Sequence, residues 1–246
     1  MAEQPWLILT LRRTGGTSLT TFLSTASSFP TIEHEPFNPG RMLGHITNSF
    51  QDSGNVTDMS AAVRQAVADK PNIKHCVEII PTEITRALID ACHDQGYRFI
   101  VMTRRDEAKR LASLFLAIST GVWGPEDADR IYPKIIAGTQ TPAPIDLTKL
   151  RGRVRTDYYS VGRMLSLLRN RQIDYRWLLF EELYLGETPI REQALTLARG
   201  LGIDIHEDDE RLQAFAERSG QKSSDIAAYV ENYETAVARL NRLCSA

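Results

Sequence analysis

The sequence predicts a three-layer α/β fold, a central parallel sheet flanked by helices, on three observations. Short apolar runs rich in strand formers recur at 6–11, 72–80, 97–103 and 175–180. Amphipathic segments separate them. The separations suit right-handed strand–helix–strand crossovers, which bury a parallel sheet on both faces.

Each element has its own signal. "WLILTL" (6–11) is the first strand, apolar on both faces, and a helix over 17–27 follows it. "DMSAAVRQAVADKP" (58–71) reads as a helix stopped by proline, and "NIKHCVEII" (72–80) as the second strand. In "PTEITRALIDACHDQG" (81–96), Ile84, Leu88 and Cys92 share one helical face and Gly96 ends it. "YRFIVMT" (97–103) is a strand and "DEAKRLASLFLAIS" (106–119) an amphipathic helix. Residues 121–150 hold four of the eleven prolines and read as an irregular insert or lid. A helix at 157–171, a strand at 175–180 and a helix at 188–202 follow, and a helical portion at 203–246 ends the chain. One domain spanning 1–246 accommodates all of this.

Bulk composition narrows the function. The 246 residues are 42% hydrophobic and 24% charged, with net charge −2, so any basic site must be local. No nucleic-acid partner is expected. Three scattered cysteines fit neither a disulfide framework nor a zinc site, and the first apolar run is too short for a signal segment or membrane span. A cytoplasmic protein is expected.

In open parallel sheets ligands bind beyond the carboxyl ends of the strands. Three such ends carry charge: Arg12-Arg13-Thr14, Arg104-Arg105-Asp106 and Glu181-Glu182. At the first, "LRRTGGTSL" must turn sharply from strand into helix. Gly15 and Gly16 permit positive φ and close approach of backbone N–H groups to a ligand. Thr17 and Ser18 open a helix whose unpaired N–H groups and dipole favour an anion, and Arg12 and Arg13 add charged donors. The loop is P-loop-like, yet lacks the Gly-Lys-Ser/Thr ending that serves Mg²⁺ and a γ-phosphate. At the second strand end, Arg105 and Ser113 are an arginine and a hydroxyl that can serve a second phosphate. Two anion sites at neighbouring strand ends suggest one ligand with two separated phosphates.

Those two stretches together resemble the sulfotransferases that use 3′-phosphoadenosine 5′-phosphosulfate (PAPS). The loop Arg13-Thr14-Gly15-Gly16-Thr17-Ser18 is similar to the family's 5′-phosphosulfate loop. "RDEAKRLAS" keeps Arg105, Asp106, Arg110 and Ser113 in register with its 3′-phosphate motif, with Glu107 in place of a proline. "WLLFEEL" and "VENYETAVARL" resemble later landmarks. "RRTG", the doubled arginine and Thr120 with Trp123 look most like bacterial carbohydrate sulfotransferases of the rhizobial nodulation-factor type.

The resemblance implies a P-loop-like fold and PAPS as co-substrate, with 3′-phosphoadenosine 5′-phosphate (PAP) as product. It implies no metal requirement and a carbohydrate or glycolipid hydroxyl as acceptor. It assigns Arg13, Thr14, Gly15, Gly16, Thr17 and Ser18 to the 5′-phosphosulfate, with Arg12 as an extra donor, Arg105 and Ser113 to the 3′-phosphate, and Lys222 to a closing loop. Arg13 would also stabilise the leaving phosphate. For the base it points to Glu35 in "FPTIEHEPFNP", with Glu33 and His34 as rivals and His75 on the second strand as runner-up. Partial burial is expected to draw the Glu35 pKa toward working pH. The family's second-strand lysine is expected near Val77 and Glu78, where none stands, and Lys74 reads as displaced. Glu181 and Glu182 are expected to orient structure. Phe37, His45, Trp123 and Tyr132 are candidates for the acceptor pocket. A P-loop kinase or hydrolase and a non-catalytic nucleotide-binding module are the alternatives, and a homo-oligomer stays open.

Overall fold

In the computed structural model, which describes residues 2–217 and 224–245, the apolar runs become four parallel strands in the order β2-β1-β3-β4. The chain runs β1 (Trp6–Thr10), α1 (Gly16–Ala26), α2 (Gly44–Ser53), α3 (Val56–Ala66), β2 (Ile73–Cys76), α4 (Thr82–Asp94), β3 (Arg98–Thr103) and α5 (Glu107–Thr120). It continues through α6 (Pro125–Ile136), α7 (Leu150–Asn170), β4 (Tyr175–Leu179), α8 (Phe180–Leu185), α9 (Ile190–Gly200), α10 (Glu210–Glu217), α11 (Ser224–Ala227) and α12 (Tyr233–Cys244).

Internal contacts divide the chain into two compact units. The first comprises residues up to Arg105 together with Asp157–Glu217, and holds the whole sheet. Its strands alternate side chains between two cores, as the pleat requires. Leu7, Leu9 and Val101 face a core completed by Met59 and Val63 of α3, Leu88 of α4 and Leu168 of α7. Trp6, Ile8, Ile100 and Met102 face the opposite core, with Leu19 and Leu23 of α1, Ala198 of α9 and Leu212 of α10. Three layers result, as the sequence predicts.

The second unit contains Asp106–Thr156 and the C-terminal segment 224–245. Leu111, Phe115, Ile131, Ile135 and Val154 form its core with Ile226, Val230 and Leu240. Asn232 ties the segment down by exchanging hydrogen bonds with the backbone of Ile145, 2.8 Å in each direction.

Several boundaries differ from expectation. The insert at 121–150 is not irregular throughout, because it carries α6. Pro125 stands at the first helical position after Gly124, with Glu126 and Asp127 against the helix dipole. Burial of Ile131 and Ile135 keeps the helix intact through Pro133. β2 ends at Cys76 rather than 80: the Val77 amide makes the last bond to β1, at the Thr10 carbonyl, and the Ile79 amide turns back to the Cys76 carbonyl. α2 and α8 are additional short helices, and α7 begins at Leu150 rather than 157.

Candidate active site

The turn after β1 uses left-handed backbone twice, at Arg13 (φ 68°) and Gly15 (φ 77°). Gly15 is the N-cap of α1 and offers no side chain there. A Cβ at Gly15 would stand 2.7 Å from Tyr184 Cε2 and 2.9 Å from Phe180 Cδ2. The Tyr184 hydroxyl donates to the Gly15 carbonyl at 2.7 Å, so α8 buttresses the turn from outside. A Cβ at Gly16 would lie 3.3 Å from Lys74 Cε. The two glycines therefore admit aromatic rings on one side and a lysine stem on the other. The first-turn N–H groups of α1 remain as the anion-favouring end of an eleven-residue helix.

Lys74 corrects the sequence reading. It is not displaced from the site. Strand register pairs it with Ile8, and alternation turns it to the α1 face, opposite Ile73 and His75. Its Nζ lies 3.1 Å from Thr17 Oγ1 and 2.7 Å from Glu35 Oε1, and only 5% of its side chain is exposed. Burial alone would lower its pKa. Cys76 as a thiolate, Glu35 and Glu78 act the other way and raise it. Burial holds Cys76 well above the usual thiol range and hence neutral, so the two carboxylates keep Lys74 charged at neutral pH.

Glu35 stands in left-handed backbone at φ 57°, an uncommon conformation for glutamate that surrounding bonds must maintain. Its amide donates to the Lys74 carbonyl at 3.2 Å, and its own carbonyl accepts from the Asn38 amide at 3.0 Å. Asn38 Nδ2 donates to Oε2 at 2.7 Å. Burial pushes the carboxyl upward, but the Lys74 charge and hydrogen bond, with the Cys76 thiol and Asn38 as further donors, bring it down to about 2. That overturns the expectation of a pKa drawn toward neutrality: with Lys74 beside it, Glu35 is firmly ionised.

Other candidates have different partners. Thr14 is buried, its hydroxyl 2.5 Å from that of Thr10 and donating to the Leu11 carbonyl, so it secures the turn from within. Arg12 turns to Glu78, which takes both its amide (2.9 Å) and its Nε (3.2 Å). Arg13 and Ser18 are half-buried and Thr17 is exposed. His75 is sequestered on the other face, against Phe37 and within 3.0 Å of Thr85 Oγ1, and burial depresses it to about 4. It lies on the face of β2 away from Lys74. Glu33 is taken up by Arg41 and the Met42 amide. Phe37 is a core residue rather than part of a pocket wall, whereas His45 is exposed.

At the end of β3, Glu181 pairs with Arg104 Nε at 3.6 Å and accepts the Arg105 amide at 2.8 Å. Glu182 holds the Arg105 guanidinium at 2.9 Å, and Arg104 lies over the Phe180 ring, 4.3 Å from its centroid. The acidic pair thus orients the arginines, as expected. In the second unit Asp106 caps α5 through the Lys109 amide. Arg110, fully buried, forms a two-pronged pair with Glu107 at 2.6 and 2.7 Å. Ser113 is half-buried on α5. Lys222 lies outside the described residues.

No family model matches the sequence, and no curated protein matches it either. Among solved structures the chain is similar to the crystal structure of a sulfotransferase from Alicyclobacillus acidocaldarius. The two share 15% identity and a TM-score of 0.44, over 99% of this chain and 96% of the other. That likeness is too distant to assign chemistry to this chain. No described helix is long and apolar enough to cross a membrane.

Proposed function

We propose that this chain transfers a sulfuryl group from PAPS to a hydroxyl of a carbohydrate or glycolipid-like acceptor, releasing PAP and a sulfate ester. One observation carries the reading. A buried ammonium stands 3.1 Å from Thr17 at the α1 N-terminus and 2.7 Å from a carboxylate. That adjacency supports a site in which an anion seat, a cation and a proton acceptor meet. The resemblance of "RTGGTS" and "RDEAKRLAS" to the two nucleotide motifs supports PAPS as the anion.

PAPS supplies an activated sulfuryl group, and the protein's contribution is placement and charge. The α1 N–H groups, Arg13, Thr17 and Ser18 hold the 5′-phosphosulfate. Glu35 takes the acceptor hydroxyl proton as the acceptor oxygen bonds to sulfur. The sulfur–oxygen bond to the 5′-phosphate breaks, and its electron pair stays on that phosphate. Lys74 and Arg13 stabilise the charge that collects there. Removing one such donor slows comparable reactions by about 10²–10³-fold. Arg105 serves the 3′-phosphate, displacing Glu182 from its guanidinium.

Calorimetric titration with PAP and with ATP, each with and without Mg²⁺, tests the reading. Tight, Mg²⁺-independent PAP binding supports it, and a Mg²⁺-dependent preference for ATP sinks it in favour of a kinase or hydrolase. Glu35→Ala should retain PAP binding and lose PAPS turnover on a panel of sugars, glycolipids and phenols. Unchanged turnover removes Glu35 as the base.

A further inference from the structure

We propose that Glu35 and the incoming anion compete for the single ammonium of Lys74, so that filling the α1 loop frees Glu35 to accept a proton. The inference rests on the reading above that the α1 N-terminus seats an anion.

Lys74 Nζ touches both parties already. Thr17, in the first turn of α1, lies 3.1 Å away, and Glu35 Oε1 lies 2.7 Å away. The lysine stem lies against the backbone of Gly16, so Nζ is delivered to the mouth of the loop. An anion seated on the first-turn N–H groups meets this ammonium without a change of fold. Its charge then offsets the one that Glu35 now sees.

The other bonds to Glu35 are of a different kind. Asn38 Nδ2 on Oε2, at 2.7 Å, and the Cys76 thiol are neutral donors. Losing Lys74 to the anion removes charge from the carboxylate but leaves its aim intact. The remaining surroundings favour protonation. Burial raises the Glu35 pKa, and Glu78, which also faces Lys74, is a second carboxylate on that side. His75, on the far face of β2, is neutral near pH 7 and adds no positive charge. Without an anion, Glu35 is paired, ionised and a poor base. With one, it can take the hydroxyl proton. The device ties activation of the acceptor to arrival of the donor.

The test uses the intact chain labelled with carboxyl-¹³C glutamate, the Glu35 resonance being the one missing from Glu35→Gln. Inorganic sulfate is the first probe, being a dianion across the range in which the raised midpoint is sought, and PAP the second. Without an anion the Glu35 carboxyl should stay ionised to the lowest pH at which the fold persists. Under saturating sulfate it should protonate with a midpoint at or above its ordinary 4.5. In Lys74→Met that higher midpoint should appear without sulfate, and sulfate should not move it further. Wild-type titrations decide the matter alone if that variant fails to fold. Sulfate that shifts the amide resonances of residues 15–18 but leaves the Glu35 midpoint unchanged overturns the competition while sparing the anion seat. Neither sulfate nor PAP shifting those amides overturns the seat itself, and the inference with it.

Discussion

Replacing Glu35 by glutamine keeps its size and removes the charge that holds Lys74. The ammonium is left with Thr17 Oγ1 and the more distant charge of Glu78, in a site where 5% of the lysine side chain is exposed. Two routes give the magnitude. Depression of the carboxyl from 4.5 to about 2 corresponds to roughly 3 kcal/mol at 1.36 kcal/mol per pKa unit, with little screening to discount at 17% exposure. Breaking a buried pair costs about 3–5 kcal/mol, and the residual Glu78 charge favours the lower end. Wild type should therefore exceed Glu35→Gln by about 3 kcal/mol at pH 7 in urea denaturation, followed through the fluorescence of Trp6, buried in the first unit. The sign with pH follows from the depressed value. The contribution of Glu35 is complete above its unfolded pKa of about 4.5 and is lost as pH falls toward about 2. The gap should narrow below pH 4.5 and close near pH 2. A gap under about 1 kcal/mol at pH 7, or one that persists unchanged at pH 3, would falsify the pairing as described.

Gly15→Ala should destabilise the protein by about 2–4 kcal/mol, from a left-handed φ and a Cβ 2.7 Å from Tyr184, and should abolish PAP binding by calorimetry. Arg12→Ala should cost about 2 kcal/mol in urea melts, because it removes the guanidinium paired with the fully buried Glu78 carboxylate, while PAP affinity stays near wild type. His75, neutral and buried, titrates at about 4 against 6.5 when unfolded, so stability should fall by on the order of 3 kcal/mol as pH drops across that window. His75→Gln should flatten that part of the curve and retain PAPS turnover; a variant with normal folding and no turnover would restore His75 as a candidate.

What the sequence disclosed was local chemistry. "LILTLRRTGG" announces a buried strand and a left-handed turn because each residue's burial and φ preference act where it stands. Glu35 entered through the family resemblance, and its pairing with Lys74, 39 residues away, was not legible. Lys74 was misplaced because its position depends on register across β1, which no spacing within "NIKHCVEII" records. Alternation within the strand separates Lys74 from His75, but which of the two faces α1 is set by the pairing with β1. The divergent roles of Arg12 and Arg13 were equally hidden, since Glu78 lies 66 residues from Arg12. α6 was hidden for a different reason. Gly124-Pro125-Glu126-Asp127 is a helix start inside a segment whose four prolines equally suit irregular structure.

The hydroxyl of Tyr184 reaches a carbonyl 169 residues earlier in the chain, and its ring with that of Phe180 fills the space beside Gly15. A nascent chain has made the glycine turn long before α8 exists to brace it. Contacts closed across such long stretches are slow to form. Acquisition of anion affinity should therefore lag behind collapse of the first core, and a chain shortened before residue 180 would carry the whole "RRTGGTS" stretch without the brace that shapes it. The glycine turn and the ring that braces it are thus contributed by stretches 169 residues apart.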